Sequence, residues 1–226
     1  LVAYGPGTET TVSHPWRTGD ALDRGAQFSK DHSRAVFASS HAGREQLWIT
    51  GADGQDPAPL TRTDFEYVEM PRFSPDGTTV VFAAYRKGHF GLWTVDVASG
   101  REAPVGPDED DPRAPSFSRN GHWLYFSAIT KGGRRQLFRR AWPIGAAPEQ
   151  VTQEGGFAAI ESSDGELLYF VRPDRRGLWR RSPTPGGDDT LVTPELAPID
   201  WRNWDVTRDA VWFVMRPAGD ATLARF

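Results

Sequence analysis

Hydrophobic and polar positions along the chain repeat as blocks of short apolar runs. "AVFAS" at 35–39, "TVVFAAY" at 79–85 and "WLYFSA" at 123–128 are each followed by a polar or glycine-containing loop and a second run, such as "GLWTVDV" at 91–97. No window shows a convincing helical period of 3.6 residues. The pattern therefore predicts short antiparallel strands and an all-β chain.

The blocks recur at a fixed distance along the chain. Their first turns are "FSKDH" at 28–32, "FSPDG" at 73–77 and "FSRNG" at 117–121, with weaker copies in "ESSDG" at 161–165 and "DVTRD" at 205–209. The anchor positions Phe28, Phe73, Phe117, Glu161 and Asp205 lie 44 or 45 residues apart. Four strands in a unit of about 40–45 residues are typical of a β-propeller blade. We therefore predict one propeller domain over 1–226, with five repeats of four-stranded antiparallel blades.

Aromatic residues recur in the third strand of the first four units, and the two ends of the chain suggest how the ring closes. Trp48, Trp93, Phe138 and Trp179 are predicted to occupy equivalent, largely buried sites. The last unit lacks a fourth strand, whereas "TTVSHP" at 10–15 is strand-like, so 10–15 is predicted to pair with 222–226 and remove an open edge. The alternative is an incomplete six-bladed propeller, because residues 1–4 fit a third strand of a further blade.

Composition and motifs argue against several classes of function. The 226 residues carry a net charge of −4 and include no Cys. The negative charge argues against nucleic-acid binding, which needs a positive excess. No apolar run reaches the roughly 20 residues of a membrane span, and no nucleophile elbow, zinc-protease motif or P-loop is present. We expect no cofactor and no metal; Asp108–Asp111 could hold a hard cation, but a solvated loop is favoured.

Charged loops supply the candidate binding residues. In an up-and-down blade, the hairpins between second and third strands emerge on the same side as the connections between blades. The hairpins are mainly basic and the connections mainly acidic, so this face either pairs its own charges or docks a partner of complementary charge. The candidate binding residues are Arg86, His89, Arg113, Arg135, Arg172, Arg176, Trp201, Arg202 and Trp204.

Two stretches carry a family resemblance. "FSPDGTTVVFAAYRKGHFGLWTVDVASG" resembles a repeat of the TolB-like β-propellers, a branch of the WD-repeat-like group. "GGFAAIESSDGELLYFVRPDRRGLWRRSPTPGG" resembles the propeller of bacterial sensors that carry a winged-helix domain. No Trp-Asp dipeptide ends the third strand, so these are not standard WD repeats.

The resemblance implies a function without catalysis. It implies a periplasmic or otherwise extracytoplasmic protein-binding module of a membrane-associated complex, anchored through a segment outside this chain. Two alternatives stay open. One is a substrate-gating propeller of a hydrolase whose catalytic domain lies outside this chain. The other is an independent enzyme whose site lies at the axial funnel.

Overall fold

The predicted all-β propeller is confirmed. The computed structural model describes residues 23–41, 43–106, 111–143, 145–196, 204–208, 210–215 and 222–225. These residues contain strands and no helix, arranged in five antiparallel sheets that follow one another along the chain. Each sheet is one blade, and each innermost strand comes first in its blade.

The strands fall where the apolar runs predict them. Blade 1 contains β1 (Asp23–Phe28), β2 (Arg34–Ser39), β3 (Gln46–Gly51) and β4 (Ala58–Pro59), and blade 2 contains β5 (Tyr67–Phe73), β6 (Thr79–Arg86), β7 (His89–Asp96) and β8 (Glu102–Pro104). Blade 3 contains β9 (Arg113–Phe117), β10 (Trp123–Ile129), β11 (Arg135–Ala141) and β12 (Glu149–Gln150). Blade 4 contains β13 (Phe157–Glu161), β14 (Leu168–Arg172), β15 (Arg175–Arg181) and β16 (Thr190–Thr193). Blade 5 has three described strands: β17 (Trp204–Val206), β18 (Val211–Met215) and β19 (Thr222–Arg225).

Neighbouring blades bury each other, which explains why the second strands are apolar throughout rather than alternating. In β6, Val80 and Phe82 pack in a cluster shared with blade 1, whereas Val81 and Ala83 pack in a cluster shared with blade 3. A blade therefore has two apolar faces and depends on both neighbours for its stability.

The predicted aromatic layer is present at equivalent positions. Trp48, Trp93 and Trp179 each lie opposite a phenylalanine of the second strand, and Phe138 lies opposite Phe126. Trp48 is buried, whereas Trp93, Phe138 and Trp179 are half-buried. The third strand lies farther from the axis than the second, and Trp93, Phe138 and Trp179 keep part of their surface in contact with solvent.

The repeated turn has a physical explanation beyond its proline and glycine. In "FSPDG", the Ser74 hydroxyl donates to Asp76 Oδ1 at 2.6 Å, and the same carboxylate oxygen accepts from the Thr78 amide at 3.1 Å. Gly77 follows in the left-handed region, at a φ of 72°. His32 takes the place of that glycine in the first repeat, at a φ of 57°. Serine and a short acid or amide thus close the first-to-second-strand turns.

Every described innermost strand of blades 1 to 4 contains a bulge at the same repeat position. The ladder register shifts there, and the residues in the left-handed region are Gly25, Met70, Ala114 and Ala158, with φ between 50° and 63°. Such a conformation costs a non-glycine residue about 1–2 kcal/mol. The bulge increases the local twist of the strand, and two residues later comes the position that lines the axis.

The predicted closure of the ring falls outside the described residues, because 10–15 belongs to the part of the chain that the structure does not describe. It stays a prediction, as does the single domain over 1–226. The five described sheets are nevertheless arranged around one axis, since residues from all five blades line the same axial cavity.

Candidate functional site

The two ends of the propeller are chemically different. The hairpin end carries the second-to-third-strand hairpins, at 40–45, 87–88, 130–134 and 173–174, together with the starts of the innermost strands. The turn end carries the first-to-second-strand turns, at 29–33, 74–78, 118–122, 162–167 and 207–210, together with the ends of the innermost strands.

The structure brings most of the predicted binding residues to the hairpin end. Arg86 and His89 flank the hairpin of blade 2, Arg113 begins β9, and Arg135 begins β11. Arg172 ends β14, and Arg176 is the second residue of β15. Trp201 and Arg202 lie outside the described residues, as do Asp108, Glu109 and Asp110. Within the described ranges, no group of three His, Asp or Glu side chains is arranged to hold a metal ion.

A three-part unit stabilises the junction between blades 1 and 2. The Arg24 guanidinium forms an ion pair with Glu45 and stacks 4.5 Å from the centroid of the Tyr67 ring. Arg24 starts the innermost strand of blade 1, whereas Tyr67 starts that of blade 2. The cation is therefore held by a carboxylate on one side and an aromatic face on the other.

The junction between blades 2 and 3 contains a second such unit, in which the arginine belongs to blade 3 and the carboxylate and the aromatic ring belong to blade 2. Arg113 Nε donates to Glu69 Oε1 at 2.6 Å, and its guanidinium lies 3.7 Å from the centroid of the Phe90 ring. The Glu69 side chain is only 1% exposed. A carboxylate buried to that degree needs a charged partner, because desolvation otherwise costs several kcal/mol. Arg113 therefore has a structural task in holding Glu69.

The junction between blades 3 and 4 contains the third unit. Arg135 forms an ion pair with Asp111, and its guanidinium lies 5.6 Å from the centroid of the Phe157 ring. Burial lowers the pKa of Arg135, whereas the hydrogen bond and charge of Asp111 act in the opposite direction. Asp111 is the one described member of the acidic run, and it neutralises an arginine.

The remaining predicted residues at this end differ in accessibility. Arg172 is buried, pairs with Asp189 and lies over the Trp179 ring. Arg176 donates to the Glu195 carbonyl at 2.9 Å, and the Arg86 guanidinium lies 5.7 Å from the centroid of the Trp93 ring. Exposed cations rim these paired groups on the hairpins: Lys87, Lys131, Arg134, Arg175 and Arg176.

Trp204 is placed in the core between blades 4 and 5. It is 6% exposed and packs in the cluster that contains Phe157, Leu178 and Val206. A role as a surface contact residue for Trp204 stays a prediction without support from this position.

The turn end contains an axial cavity whose lining residues are not among the binding residues predicted from the sequence. Its volume is about 440 Å³, and five basic or titratable side chains with one carboxylate line it: Lys30, His32, Arg72, Arg119, Arg208 and Asp205. Phe28, Phe73 and Phe117, the phenylalanines of the repeat motif, form an apolar wall. One signal in the sequence could have indicated this cavity, because Arg72 is the only charged residue at its position of the repeat. The other blades have Gln27, Ser116, Ile160 and Trp204 there.

Arg72 differs from its polar equivalents in its hydrogen bonds. Gln27 Oε1 accepts from the Phe73 amide at 2.7 Å, and the Ser116 hydroxyl donates to the Ala159 carbonyl at 2.6 Å, so both bind the next innermost strand. Arg72 donates to the Pro71 carbonyl at 3.3 Å. Burial lowers the pKa of Arg72, and the charge of Asp205 counteracts this effect. No ion pair joins Arg72 to a carboxylate among the described residues.

Arg119 has a different role at the rim of this cavity. Its guanidinium donates to the Glu161 carbonyl at 3.0 Å and to the Val206 carbonyl at 3.1 Å, so it ties blade 3 to blades 4 and 5. Beside it, Glu161 accepts from the Arg119 amide at 2.8 Å and from the Tyr125 hydroxyl at 2.5 Å. These hydrogen bonds hold the turn ends of blades 3, 4 and 5 together.

Comparison with known proteins identifies the family. Residues 8–131, more than half of the chain, match the family described as the dipeptidyl peptidase IV (DPP IV) N-terminal region. The chain belongs to this family. Among curated proteins, this chain is similar to the Tol-Pal system protein TolB of Francisella tularensis. The two are 28% identical over 87 residues, which are 38% of this chain and 20% of that protein.

Solved structures extend the similarity to nearly the whole fold. TolB from Acinetobacter baumannii superposes with a TM-score of 0.78 at 16% identity, covering 93% of this chain and 53% of that one. A puromycin-hydrolysing peptidase of Mycobacterium tuberculosis superposes with a TM-score of 0.63 at 16% identity, covering 91% of this chain and 36% of that one. The predicted resemblance to TolB-like β-propellers is thereby confirmed.

The similar proteins are all longer than this chain. It spans about half or less of the length of each of these three proteins. They include two TolB proteins and a peptidase. Among the residues that the structure describes, no helix is long and apolar enough to cross a membrane.

Proposed function

We propose that residues 1–226 form one propeller domain that acts as a non-catalytic protein-docking module in a larger extracytoplasmic, membrane-associated assembly. The hairpin end is the docking surface. The observation that carries this proposal is the layered arrangement of that end, where exposed basic hairpins surround arginines already fixed by carboxylates and aromatic rings.

The layering is suited to binding a protein. Arginine and aromatic side chains are typical of the residues that dominate interface energies. Side chains that are already ordered lose little conformational entropy on association. The outer cations Lys87, Lys131 and Arg176 provide a positive rim, which favours a partner with an acidic surface and speeds its encounter.

The test is co-purification from native membranes with the full-length protein. A variant with Lys87→Glu, Lys131→Glu and Arg176→Glu reverses the rim without touching the three junction units. The matched control reverses two exposed arginines away from the hairpin end, Arg101 and Arg180. We expect the first variant to lose a partner that the second retains. Equal recovery of every partner with both variants would contradict docking at the hairpin end.

A second function is favoured by a specific observation, the family match to the DPP IV N-terminal region together with the fold of the puromycin-hydrolysing peptidase. In that case the propeller would restrict substrate access to a hydrolase domain elsewhere in the same protein. The coding sequence on either side of 1–226 distinguishes the two functions, because a hydrolase requires a catalytic domain there.

A further inference from the structure

The axial cavity at the turn end is a second candidate site, independent of the hairpin end. Side chains from all five blades line its volume of about 440 Å³. This size lies within the range of pockets that enclose small ligands. Because the cavity lies at the opposite end of the innermost strands, a ligand there would not compete directly with a protein docked on the hairpins.

The charge of the cavity is opposite to the charge of the chain. Four cationic side chains line it, Lys30, Arg72, Arg119 and Arg208, against one carboxylate, Asp205. The whole chain carries a net charge of −4. Cations gathered around a concave space attract anions more strongly than the same cations on an open surface.

The carboxylates of the turn end are engaged elsewhere. Asp31 accepts from the hydroxyls of Ser29 and Ser33, and Asp76 and Asp164 accept from Ser74 and Ser162 in the same way. Asp205 Oδ1 accepts from the Val206 amide at 2.8 Å. Among the described residues, none of these carboxylates forms an ion pair with Lys30, Arg72 or Arg208. Lys30, Arg72 and Arg208 therefore bring positive charge to the cavity that no carboxylate of the described residues neutralises at contact distance.

Arg72 provides the hydrogen-bond donors for a ligand. Its guanidinium has five N–H donors, and the single hydrogen bond described for it, to the Pro71 carbonyl, is long at 3.3 Å. The equivalent residues Gln27 and Ser116 bind the neighbouring innermost strand, whereas Arg72 lines the cavity. A planar guanidinium matches a carboxylate with two parallel hydrogen bonds.

The rest of the wall defines the other part of the ligand. Phe28, Phe73, Phe117, Ile160 and Val206 line the cavity beside the cations. Inorganic anions gain nothing from such a wall, whereas a ligand with an apolar body buries surface against it. From this combination we infer that the cavity binds a carboxylate that carries an apolar or aromatic body. The source is either a small organic acid or the terminal carboxylate of a peptide.

Titration calorimetry with matched probes tests the inference on the intact protein. Phenylacetate is compared with phenylacetamide, which has the same ring and no charge. A blocked dipeptide ending in phenylalanine, with a free or an amidated terminus, represents the peptide source. We expect an acid to bind at least about tenfold more tightly than its amide, since hydrogen bonds to charged groups contribute about 1.5–3 kcal/mol. Binding of the peptide acid alone would assign the peptide source.

Variants locate the binding. Arg72→Gln should weaken binding of the acid about tenfold or more, whereas Arg101→Gln on the outer edge of blade 2 should leave it unchanged. The hairpin-end reversal should also leave it unchanged, so failure of the docking proposal does not affect this result. Three outcomes would overturn the inference: no carboxylate probe binds, acid and amide bind equally, or inorganic phosphate binds as tightly as phenylacetate. An unaltered affinity of a folded Arg72→Gln protein would do the same.

Discussion

Arg72 at the turn end of the propeller and the junction arginines at the hairpin end have opposite surroundings. At the hairpin end, Arg24, Arg113 and Arg135 each contact a carboxylate and an aromatic ring. At the turn end, Arg72 has no carboxylate partner among the described residues, and the nearby Asp76 binds its own turn. Arginine therefore joins neighbouring blades at the hairpin end, whereas Arg72 at the turn end keeps donors that a ligand could use. Whether an arginine has a carboxylate partner distinguishes these two roles.

The largest expected effect comes from breaking the junction of blades 2 and 3. Arg113→Met should destabilise the protein by about 3 kcal/mol, because it removes the ion pair between Arg113 and the buried Glu69. The double variant Glu69→Leu with Arg113→Met should recover most of that loss. Chemical denaturation followed by tryptophan fluorescence measures both.

An exposed ion pair serves as the control. Arg134 and Glu154 are 3.5 Å apart, with side chains 49% and 63% exposed. Arg134→Met should cost less than about 1 kcal/mol. Equal losses for Arg113→Met and Arg134→Met would mean that the junction units are ordinary surface pairs, and the contrast between the two ends would disappear.

A smaller effect is expected for the neutral partner of a buried carboxylate near the turn end. Tyr125→Phe removes the hydroxyl that donates to Glu161 at 2.5 Å and should cost about 2 kcal/mol. Burial, followed by the hydrogen bond to Glu161, raises the pKa of Tyr125 well above its usual value. The unfolded state ionises first, so this stabilisation is complete below pH ~10 and is lost as the pH rises further.

Alkaline unfolding distinguishes this role from simple packing. Between about pH 9 and pH 11, the range around the ordinary pKa of tyrosine, the free energy of unfolding of the wild type should fall more steeply than that of Tyr125→Phe. Parallel curves for the two proteins would show that the hydroxyl bond contributes nothing specific.

The turn carboxylates give a weaker, acid-side effect. Hydrogen bonds from the Ser29 hydroxyl, and then from Ser33, lower the pKa of Asp31 from 3.8 to about 2. The contribution of Asp31 is therefore present above pH 3.8 and is lost as the pH falls toward 2. Asp31→Asn should flatten this part of the stability curve, since the third turn functions with Asn120 in the same place. An unchanged acid profile would contradict the role of Asp31.

The smallest expected effect is also the most direct test of the comparison. Arg72→Gln should reduce stability by no more than about 0.5 kcal/mol, since no ion pair is lost. Burial disfavours the Arg72 charge in the folded protein, so a slight gain in stability is consistent with the same reasoning. A loss as large as that of Arg113→Met would show that Arg72 is a structural residue and would remove the basis for a ligand at the axis.

The local pattern of this sequence predicted more of the fold than of the site. The apolar runs located the strands of blades 1 to 4, because strand formation and turn chemistry depend on neighbours in sequence. The hairpin end was predicted as well, and Arg113 and Arg135 do lie there. The position of Trp204 in the core and the cavity around Arg72 were not foreseen, because both depend on how separate blades face each other.

The sequence by itself determined a repeated, four-stranded unit whose two apolar faces require neighbours, since period, turn residues and apolar runs are local properties. Only the tertiary structure decided which charges are neutralised. Arg113 and Glu69 are 44 residues apart, and Arg24 and Glu45 are 21 apart. Arg113 meets Glu69 because blades 2 and 3 face each other, and Arg24 meets Glu45 because β1 and the hairpin of blade 1 are adjacent in the sheet. The same assembly leaves Arg72 at the axial cavity without an ion pair to any carboxylate of the described residues, and Asp76 binds its own turn instead.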